Sequence, residues 1–441
     1  ILGKDEVTSS NLVSSSKKKQ VKFWLASFSL YSKLVEEGVF MAPTTQRKQT
    51  AEYLALSLSV LALCYLLYHT LAGGTLLSPA VYDNYGLQAQ NWLQGRIDIE
   101  NGASYTWLEL AIYDGKYYVS FPPFPSLLSL PFVWAFGFSP ANLLIALYAM
   151  IAFIAAFGCF RTFGCPTHLC GFWAVFFTYA TNLTELSRTG GVWNQAQVLN
   201  LALCMLAVWC MAADRKNLSL ILFALAVGCR PFSAIYLLGA GIYYLLEGRR
   251  TLKHTLFSLL PGILSVTAIA AAMTAYNFVR FDSPLEFGHN YLPEFTQSVY
   301  GQFHPSYIIP NFLQLFRLPS ITSSLLIEFP LFNGFLFFLV NPVFLVWGIR
   351  MFSRRLWREQ LPAALLSLLT FTAILLALCA HKTMGGWQFG ARYTVDLLPA
   401  ALIGLSLTLR QDVRIWERFL CFAGIAINVF GAVFMLIQEM S

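Results

Sequence analysis

Residues 51–71 read AEYLALSLSVLALCYLLYHTL, an apolar run without a lysine or an arginine. At about 1.5 Å per residue, a helix of this length crosses the roughly 30 Å hydrocarbon core of a bilayer. Arg47 and Lys48 stand just before the run, and positive charges beside a membrane helix favour the cytoplasmic side. The run is therefore predicted to be the first membrane helix, and the chain emerges outside after Leu71.

The composition of the whole chain supports the same class of protein. Of 441 residues, 57% are hydrophobic and 12% are charged, whereas soluble proteins average roughly 45–50% apolar and about 25% charged. The net charge of +7 is spread over short loops between apolar runs, which excludes the basic surface of a nucleic-acid-binding protein. A soluble enzyme is excluded as well.

Further apolar runs predict further crossings, at 141–163, 169–186, 193–213, 255–279, 331–349, 361–380, 393–409 and 419–437. The run 218–246 is too long for one crossing and is interrupted by Arg230-Pro231, so it is interpreted as a broken helical hairpin. A single crossing there would place two later arginine clusters outside, against the positive-inside rule. The prediction is an all-α, polytopic membrane protein with about 11 transmembrane helices.

This topology divides the chain into regions. The proline-rich segment 121–138 is interpreted as a re-entrant or interfacial element. Residues 41–279 form a transmembrane module with a first outer loop at 72–120, a second outer loop spans 280–330, and residues 331–441 add C-terminal helices. Residues 1–40 are expected to lie outside the fold, either as a non-native stretch before a true start at Met41 or as a disordered basic tail. Most carboxylates fall on the outer side, so chemistry is expected there.

Asp83, in the first outer loop, is the candidate catalytic residue. It follows the first membrane helix closely, where a carboxylate can act as general base toward an acceptor while a lipid-linked leaving group stays in the membrane. The alternative is that Asp83 caps the helix after it, because Asp is a favoured N-cap. The two roles are compatible.

The same loop contains Asp114-Gly115-Lys116. Asp-Gly is first of all a turn signal between two strand-like pieces. Lys116 stands among aromatic residues, and a cation at the interface can meet a lipid phosphate. Both interpretations stay open from the sequence.

A set of short motifs, in this order along the chain, resembles the GT-C superfamily of membrane glycosyltransferases, in the bacterial branch that includes protein mannosyltransferases and aminoarabinose transferases. The motifs are Tyr82-Asp83 with Tyr85 and Ala89, Pro122-Pro123, Thr162-Phe163-Gly164, Ser187-Arg188 and Arg230-Pro231. The ending, with Tyr276-Asn277, Ser283-Pro284-Leu285-Glu286, Gly386-Trp387 and Arg392-Tyr393, is similar to that of uncharacterised bacterial members.

The resemblance implies transfer of a sugar from a polyprenyl-phosphate carrier, with Asp83 as the catalytic carboxylate. It implies a lipid, glycan or protein acceptor, no nucleic acid, and a bacterial inner membrane with the site facing outside. Many members have an acidic pair where this chain has Asp83-Asn84 and His-Pro-Pro where it has Phe121-Pro122-Pro123. A metal-free mechanism without a cofactor is therefore favoured over a divalent cation.

The carrier phosphate needs positive charge as the glycosidic bond breaks. Arg392 is the first candidate, and Asp396, four residues later, is expected on the same helical face. A local ion pair between these two is the alternative. Arg230, at the hairpin break, either contacts the phosphate or snorkels to backbone carbonyls.

The remaining candidates concern the sugar and the acceptor. Tyr85, Asp114, Trp193 and Asp396 are candidate contacts, although an interfacial tryptophan is often a membrane anchor instead. The predicted cavity is formed by the first loop, the hairpin and the Arg392 segment. The rival function is a transporter or lipid flippase, which should show internal repeats with matching broken helices; one break is found, without a second copy. A non-catalytic scaffold protein is a third possibility.

Overall fold

Helices dominate the structure because backbone groups in lipid must be satisfied within the chain. In this computed structural model the described residues are 43–248, 252–323, 327–409 and 412–440. The described residues from Ser57 onward form one compact unit. The predicted extension 1–40 lies outside the described residues.

The helices of the first half are α1 Pro43–Leu71, α2 Asn84–Leu93, α3 Phe124–Phe136, α4 Ala141–Thr162, α5 Thr167–Phe177, α6 Leu183–Leu186, α7 Val192–Ala212, α8 Lys216–Val227 and α9 Ala234–Glu247. Those of the second half are α10 Leu252–Phe281, α11 Pro293–Thr296, α12 Ile308–Gln314, α13 Phe337–Val340, α14 Val343–Met351, α15 Arg354–Glu359, α16 Leu361–Ala380, α17 Leu398–Ser406 and α18 Ile415–Met440. A 3₁₀ segment, Arg392–Leu397, leads into α17.

The predicted class, an all-helical polytopic membrane protein, is confirmed. Within the described residues, six helices are long and apolar enough to cross a bilayer, namely those at Arg47–Leu71, Ala141–Thr162, Val192–Ala212, Leu252–Phe281, Leu361–Ala380 and Ile415–Glu439. The number of eleven crossings stays a prediction.

Three predicted runs are not continuous helices. Run 169–186 is divided into α5 and α6, and run 331–349 into α13 and α14, where Asn341-Pro342 removes a backbone donor. Run 393–409 begins as a 3₁₀ segment. The interruption between α5 and α6 contains Asn182, and the 3₁₀ segment contains Arg392 and Asp396. These polar side chains therefore lie at helix ends.

The break at Arg230-Pro231 is present as predicted. Helix α8 ends at Val227, a 3₁₀ turn covers Pro231–Ser233, and α9 begins at Ala234. Arg230 itself is extended, with φ −143° and ψ 117°, as expected for a residue before proline. The break therefore leaves an arginine at the junction of two apolar helices. The segment 121–138 contains the short helix α3, with Pro131 inside it.

Two small antiparallel hairpins lie in the predicted outer loops. Strands β1 Leu110–Tyr113 and β2 Lys116–Val119 pair in the first loop, and β3 Ser320–Ile321 and β4 Ile327–Glu328 pair in the second. The first hairpin turns at Asp114 and Gly115, with φ of 48° and 70°. Two positive φ values in a two-residue turn are the reason for Asp-Gly at this position, so the turn interpretation is confirmed.

A buried amide network holds the segment that leads to Arg392. The Asn182 side chain donates to the Phe389 carbonyl at 2.8 Å and accepts from the Ala391 amide at 2.7 Å. The Asn182 amide donates to the Asn341 side chain at 2.8 Å, and Asn341 donates to the Thr394 hydroxyl at 3.0 Å. Unpaired amides are costly in an apolar interior, so this network keeps the segment in place.

Gly190 is a close-approach point just before α7. Its amide donates to the Asn142 side chain at 2.7 Å, and a Cβ atom there would overlap the main-chain carbonyl of Ala141. Helix α7 therefore starts directly against α4. Because α7 carries several residues of the cavity described below, this contact helps to position the site.

We expect Gly190→Ala to destabilise the protein by about 1–3 kcal/mol, the usual cost of overpacking. The measurement is the unfolding free energy or thermal midpoint of the detergent-solubilised protein. Gly171→Ala in α5 is the matched control, because among the described residues no heavy atom beyond its chain neighbours and its own helix backbone lies within 4 Å of the added Cβ. Equal stabilities of the two variants would contradict the close packing of α7 on α4.

Candidate functional site

A cavity of about 1390 Å³ lies where the loops meet the helix ends. Its wall includes all three predicted parts: the first loop, the hairpin break and the Arg392 segment. The second loop and the end of α18 complete it. The charged side chains on the wall are Glu109, Glu185, Arg188, Arg230, Glu286, Glu294, Arg392 and Glu439.

Arg392 is the arginine of this wall that has no carboxylate partner. Its side chain is buried, Nη1 donates to the Asn194 side chain at 3.3 Å, and Nε has no hydrogen-bond partner in the part of the chain that the structure describes. Among the described residues, no carboxylate lies within 4.0 Å of its guanidinium. A Cβ on Gly385 would come within 2.8 Å of Arg392 Nε, so a glycine there leaves room for the arginine.

Asp396 pairs with Arg230 instead of Arg392. The Arg230 Nε lies 2.8 Å from Asp396 Oδ2, and both side chains are largely buried. The alternative of a local ion pair between residues 392 and 396 is therefore wrong. The expectation that both lie on one helical face is wrong as well, because the segment is 3₁₀ and residues three apart, not four, share a face there. Arg230 also stacks on the Tyr393 ring at 4.9 Å. It therefore faces the cavity as a paired cation.

Asp83 caps α2, as the second interpretation of that residue predicts. Its Oδ1 accepts from the Gly86 amide and from Gln195 Nε2, each at 3.0 Å. Among the described residues, Asp83 itself is not one of those that line the cavity, whereas the preceding residue, Tyr82, is. The Tyr82 carbonyl accepts from the Val192 amide at 2.8 Å. The catalytic role of Asp83 stays a prediction.

Burial changes the acidity of Asp83. Loss of solvent raises the pKa of this carboxyl from 3.8 to about 6, although hydrogen bonds from Gly86, Gln195 and Ser139 lower it in part. A carboxylate with a pKa of about 6 is ionised at neutral pH and is a better proton acceptor than an exposed aspartate.

Trp193 lies on the cavity wall together with Tyr82 and Glu109. The two aromatic rings are 5.1 Å apart and tilted by 50°, and the Trp193 indole donates to Glu109 Oε2 at 2.9 Å. Burial raises the pKa of Glu109. An aromatic face beside a carboxylate is a suitable surface for a sugar ring. The apolar face of the sugar stacks on the aromatic ring, and the sugar hydroxyls donate hydrogen bonds to the carboxylate.

Three other candidates lie elsewhere. Lys116 and Asp114 are exposed at the tip of the first hairpin, away from the cavity wall. Tyr85 is fully buried in a core cluster with Phe121 and Val192. The structure does not bring these three side chains together with Arg392, because the hairpin turn points its tip outward and the α2 face that carries Tyr85 packs on the core.

Several wall residues were not among the candidates from the sequence. Glu185 and Arg188 lie near the end of the apolar run 169–186, and a charge in such a place was the available signal. Glu109, in the first outer loop, had no such signal. Glu439, near the C-terminal end of α18, had no such signal. His289 and His381 also line the cavity; burial lowers the pKa of each to about 4, so both rings are neutral at pH 7.

Comparisons with known proteins were made by sequence and by structure. No family model matches the chain, and no curated protein matches it. ArnT from Cupriavidus metallidurans bound to undecaprenyl phosphate is similar in structure, with a TM-score of 0.51, 15% identity, and 84% of this chain aligned to 62% of that one. The archaeal oligosaccharyltransferase AglB from Archaeoglobus fulgidus, in complex with an inhibitory peptide and a dolichol-phosphate, aligns at a TM-score of 0.45 with 12% identity, over 86% of this chain and 56% of that one.

This chain thus spans less than two thirds of the length of the solved structures that it matches. At 15% identity, the likeness to ArnT concerns the fold. It agrees with the fold expected from the short motifs around Asp83, Arg230 and Arg392. The chain therefore shares the helical membrane fold of ArnT over 84% of its length.

Proposed function

We propose that the protein is a membrane glycosyltransferase that moves a sugar from a polyprenyl-phosphate carrier to a lipid, glycan or protein acceptor. The observation that carries the proposal is Arg392: a buried arginine on the wall of a large cavity, without a carboxylate partner among the described residues. An intramembrane or interfacial charge is costly and usually has a ligand. A phosphate anion is the ligand that a guanidinium binds best.

The proposed reaction is a single displacement. Asp83 accepts the proton of the acceptor hydroxyl or amine, and the acceptor atom attacks the anomeric carbon of the sugar. The bond between that carbon and the phosphate oxygen breaks, and its electron pair stays on the polyprenyl phosphate. Arg392 stabilises the negative charge that develops there. Arg392 supplies positive charge from the protein itself, which is the basis for preferring a metal-free mechanism.

The second arginine has a different part. Arg230 is neutralised by Asp396, so it adds hydrogen-bond donors to the cavity and little net charge. Trp193, with Tyr82 and Glu109, is proposed to contact the sugar. The location of the site on the extracytoplasmic face of a bacterial inner membrane is proposed from the positive-inside topology.

Substitution of Asp83 separates its two roles. Asp83→Asn and Asp83→Ser keep a favoured N-cap residue, so both variants should fold and reach the membrane in normal amounts. Without the carboxylate, we expect transfer from a polyprenyl-phosphate sugar to fall by about 10²–10⁴, the usual contribution of a general base. The assay uses purified protein and a screen of such donors.

Undiminished transfer by Asp83→Asn would contradict the general-base role. Asp83→Ala is the control for the cap, because it should lose about 1 kcal/mol of stability in addition to activity. No transfer by the wild type with any polyprenyl-phosphate donor would favour the transporter instead.

The pH dependence follows from the same carboxyl. Because only the ionised form accepts a proton, kcat/KM should rise with pH through about 6, the pKa of Asp83 in the free protein. Below this value the rate should fall about tenfold per pH unit. A pH profile of the purified protein between pH 4 and 8 tests this. A rate independent of pH in that range would exclude Asp83 as the base.

Arg392 is tested by binding. We expect Arg392→Gln to weaken undecaprenyl-phosphate binding by about 10–100-fold, since hydrogen bonds to a charged group contribute about 1.5–3 kcal/mol. Arg392→Lys should recover part of this loss, because the charge remains but the planar fork does not. Arg317→Gln, an exposed arginine of the second loop, is the matched control. Equal affinities of the Arg392→Gln and Arg317→Gln variants would contradict the role of Arg392.

A further inference from the structure

The cavity wall carries a third arginine, Arg188, which the proposed reaction does not use. Its side chain is 6% exposed, and it is held by two carboxylates. Nε lies 3.3 Å from Glu185 Oε1, while Nη1 and Nη2 each donate to one oxygen of Glu439 at 2.6 Å. Both ends of the guanidinium are therefore occupied by carboxylates from different parts of the chain.

The pair with Glu439 has the geometry of a bound oxyanion. Two parallel N–H···O contacts between a planar guanidinium and a carboxylate are the arrangement in which arginine also holds phosphate. Arg188, Glu185 and Glu439 all line the cavity. The Glu439 carboxylate thus covers a pair of donors where a phosphate of a cavity ligand would bind.

The two carboxylates differ in how firmly they are held. Glu185 is 5% exposed and lies three residues before Arg188, whereas Glu439 is 51% exposed and lies near the C-terminal end of α18, 251 residues away in sequence. An ion pair with a half-exposed partner is weakened by solvent. Glu439 is the exchangeable partner of Arg188, and Glu185 the permanent one.

Arg188 lines the same cavity as Arg392, the proposed phosphate ligand. If Glu439 moved aside, Arg188 would present two free donors to this cavity. The wall would then have two arginines that can bind anions.

We propose that Arg188 is a second phosphate-binding residue of the cavity, and that Glu439 is a built-in competitor which a phosphate group displaces. The ligand is a phosphate group, either the second phosphate of a diphosphate-linked lipid or a phosphate on a separate molecule. This inference goes beyond the proposed function, because it concerns binding at Arg188 and holds whether or not Asp83 acts as the base.

The test measures the affinity of the purified full chain for inorganic pyrophosphate by calorimetry. Glu439→Gln removes the competing charge, and we expect about 3–10-fold tighter binding, because a half-exposed ion pair competes only weakly. Glu328→Gln, an exposed glutamate of the second hairpin, is the control for the change in net charge and should bind as the wild type does.

A double variant identifies the residue that binds. In Glu439→Gln/Arg188→Met the gain in pyrophosphate affinity should disappear. The single variant Glu439→Gln keeps Arg188 with its buried partner Glu185, so it tests the proposal even if the double variant folds poorly. An unchanged affinity in Glu439→Gln, or a gain that persists in the folded double variant, would overturn the proposal.

Lipid ligands distinguish the two sources of phosphate. If Glu439→Gln tightens the binding of undecaprenyl diphosphate but not of undecaprenyl phosphate, Arg188 takes the second phosphate of a lipid. If pyrophosphate binds to Glu439→Gln in the presence of saturating undecaprenyl phosphate, Arg188 takes a phosphate from another molecule. The proposed function would fail if the protein were inactive or if Arg392→Gln did not change the binding of undecaprenyl phosphate. The comparison of Glu439→Gln with the wild type would still test the role of Arg188.

Discussion

The ion pair between Arg230 and Asp396 is the interaction on which the candidate site depends. It joins the break between α8 and α9 to the 3₁₀ segment before α17 at 2.8 Å. Gln197 of α7 donates to Asp396 Oδ1 at 3.2 Å and to the Arg392 carbonyl at 2.9 Å, so three parts of the chain meet at one buried carboxylate. An uncompensated charge at this depth would be very costly. Arg230 and Asp396 therefore depend on each other, and loss of either would leave the other buried without its charged partner.

The same pair explains why Arg392 has no acidic partner within the described ranges. Asp396 is engaged by Arg230, and Glu185 is engaged by Arg188. Of the three arginines on the wall, Arg230 and Arg188 are therefore paired with carboxylates, whereas the Arg392 guanidinium contacts the Asn194 amide oxygen at 3.3 Å and, among the described residues, has no carboxylate within 4.0 Å. Glycine at position 385 keeps the space beside it open. The cavity is arranged so that one cation remains for a ligand.

Asp83 illustrates how one residue serves structure and chemistry together. Its hydrogen bonds with Gly86 and Gln195 fix the start of α2 and connect it to α7. The same burial that strengthens these hydrogen bonds also raises the pKa of the carboxyl to about 6. One environment thus makes Asp83 both a helix cap and a suitable proton acceptor. The sequence had allowed these two roles together.

The sequence by itself determined the class of protein, the hairpin break at Arg230-Pro231 and the Asp114-Gly115 turn, because apolar run length, proline and positive φ act within a few residues. It also indicated Arg392 and Arg230 as cavity cations. The tertiary structure alone decided that Asp396 pairs with Arg230, that Lys116 points away from the cavity, and that Glu439 reaches Arg188 across 251 positions of sequence. Such pairings depend on which helix ends meet in space, and helix spacing along the chain carries no information about that.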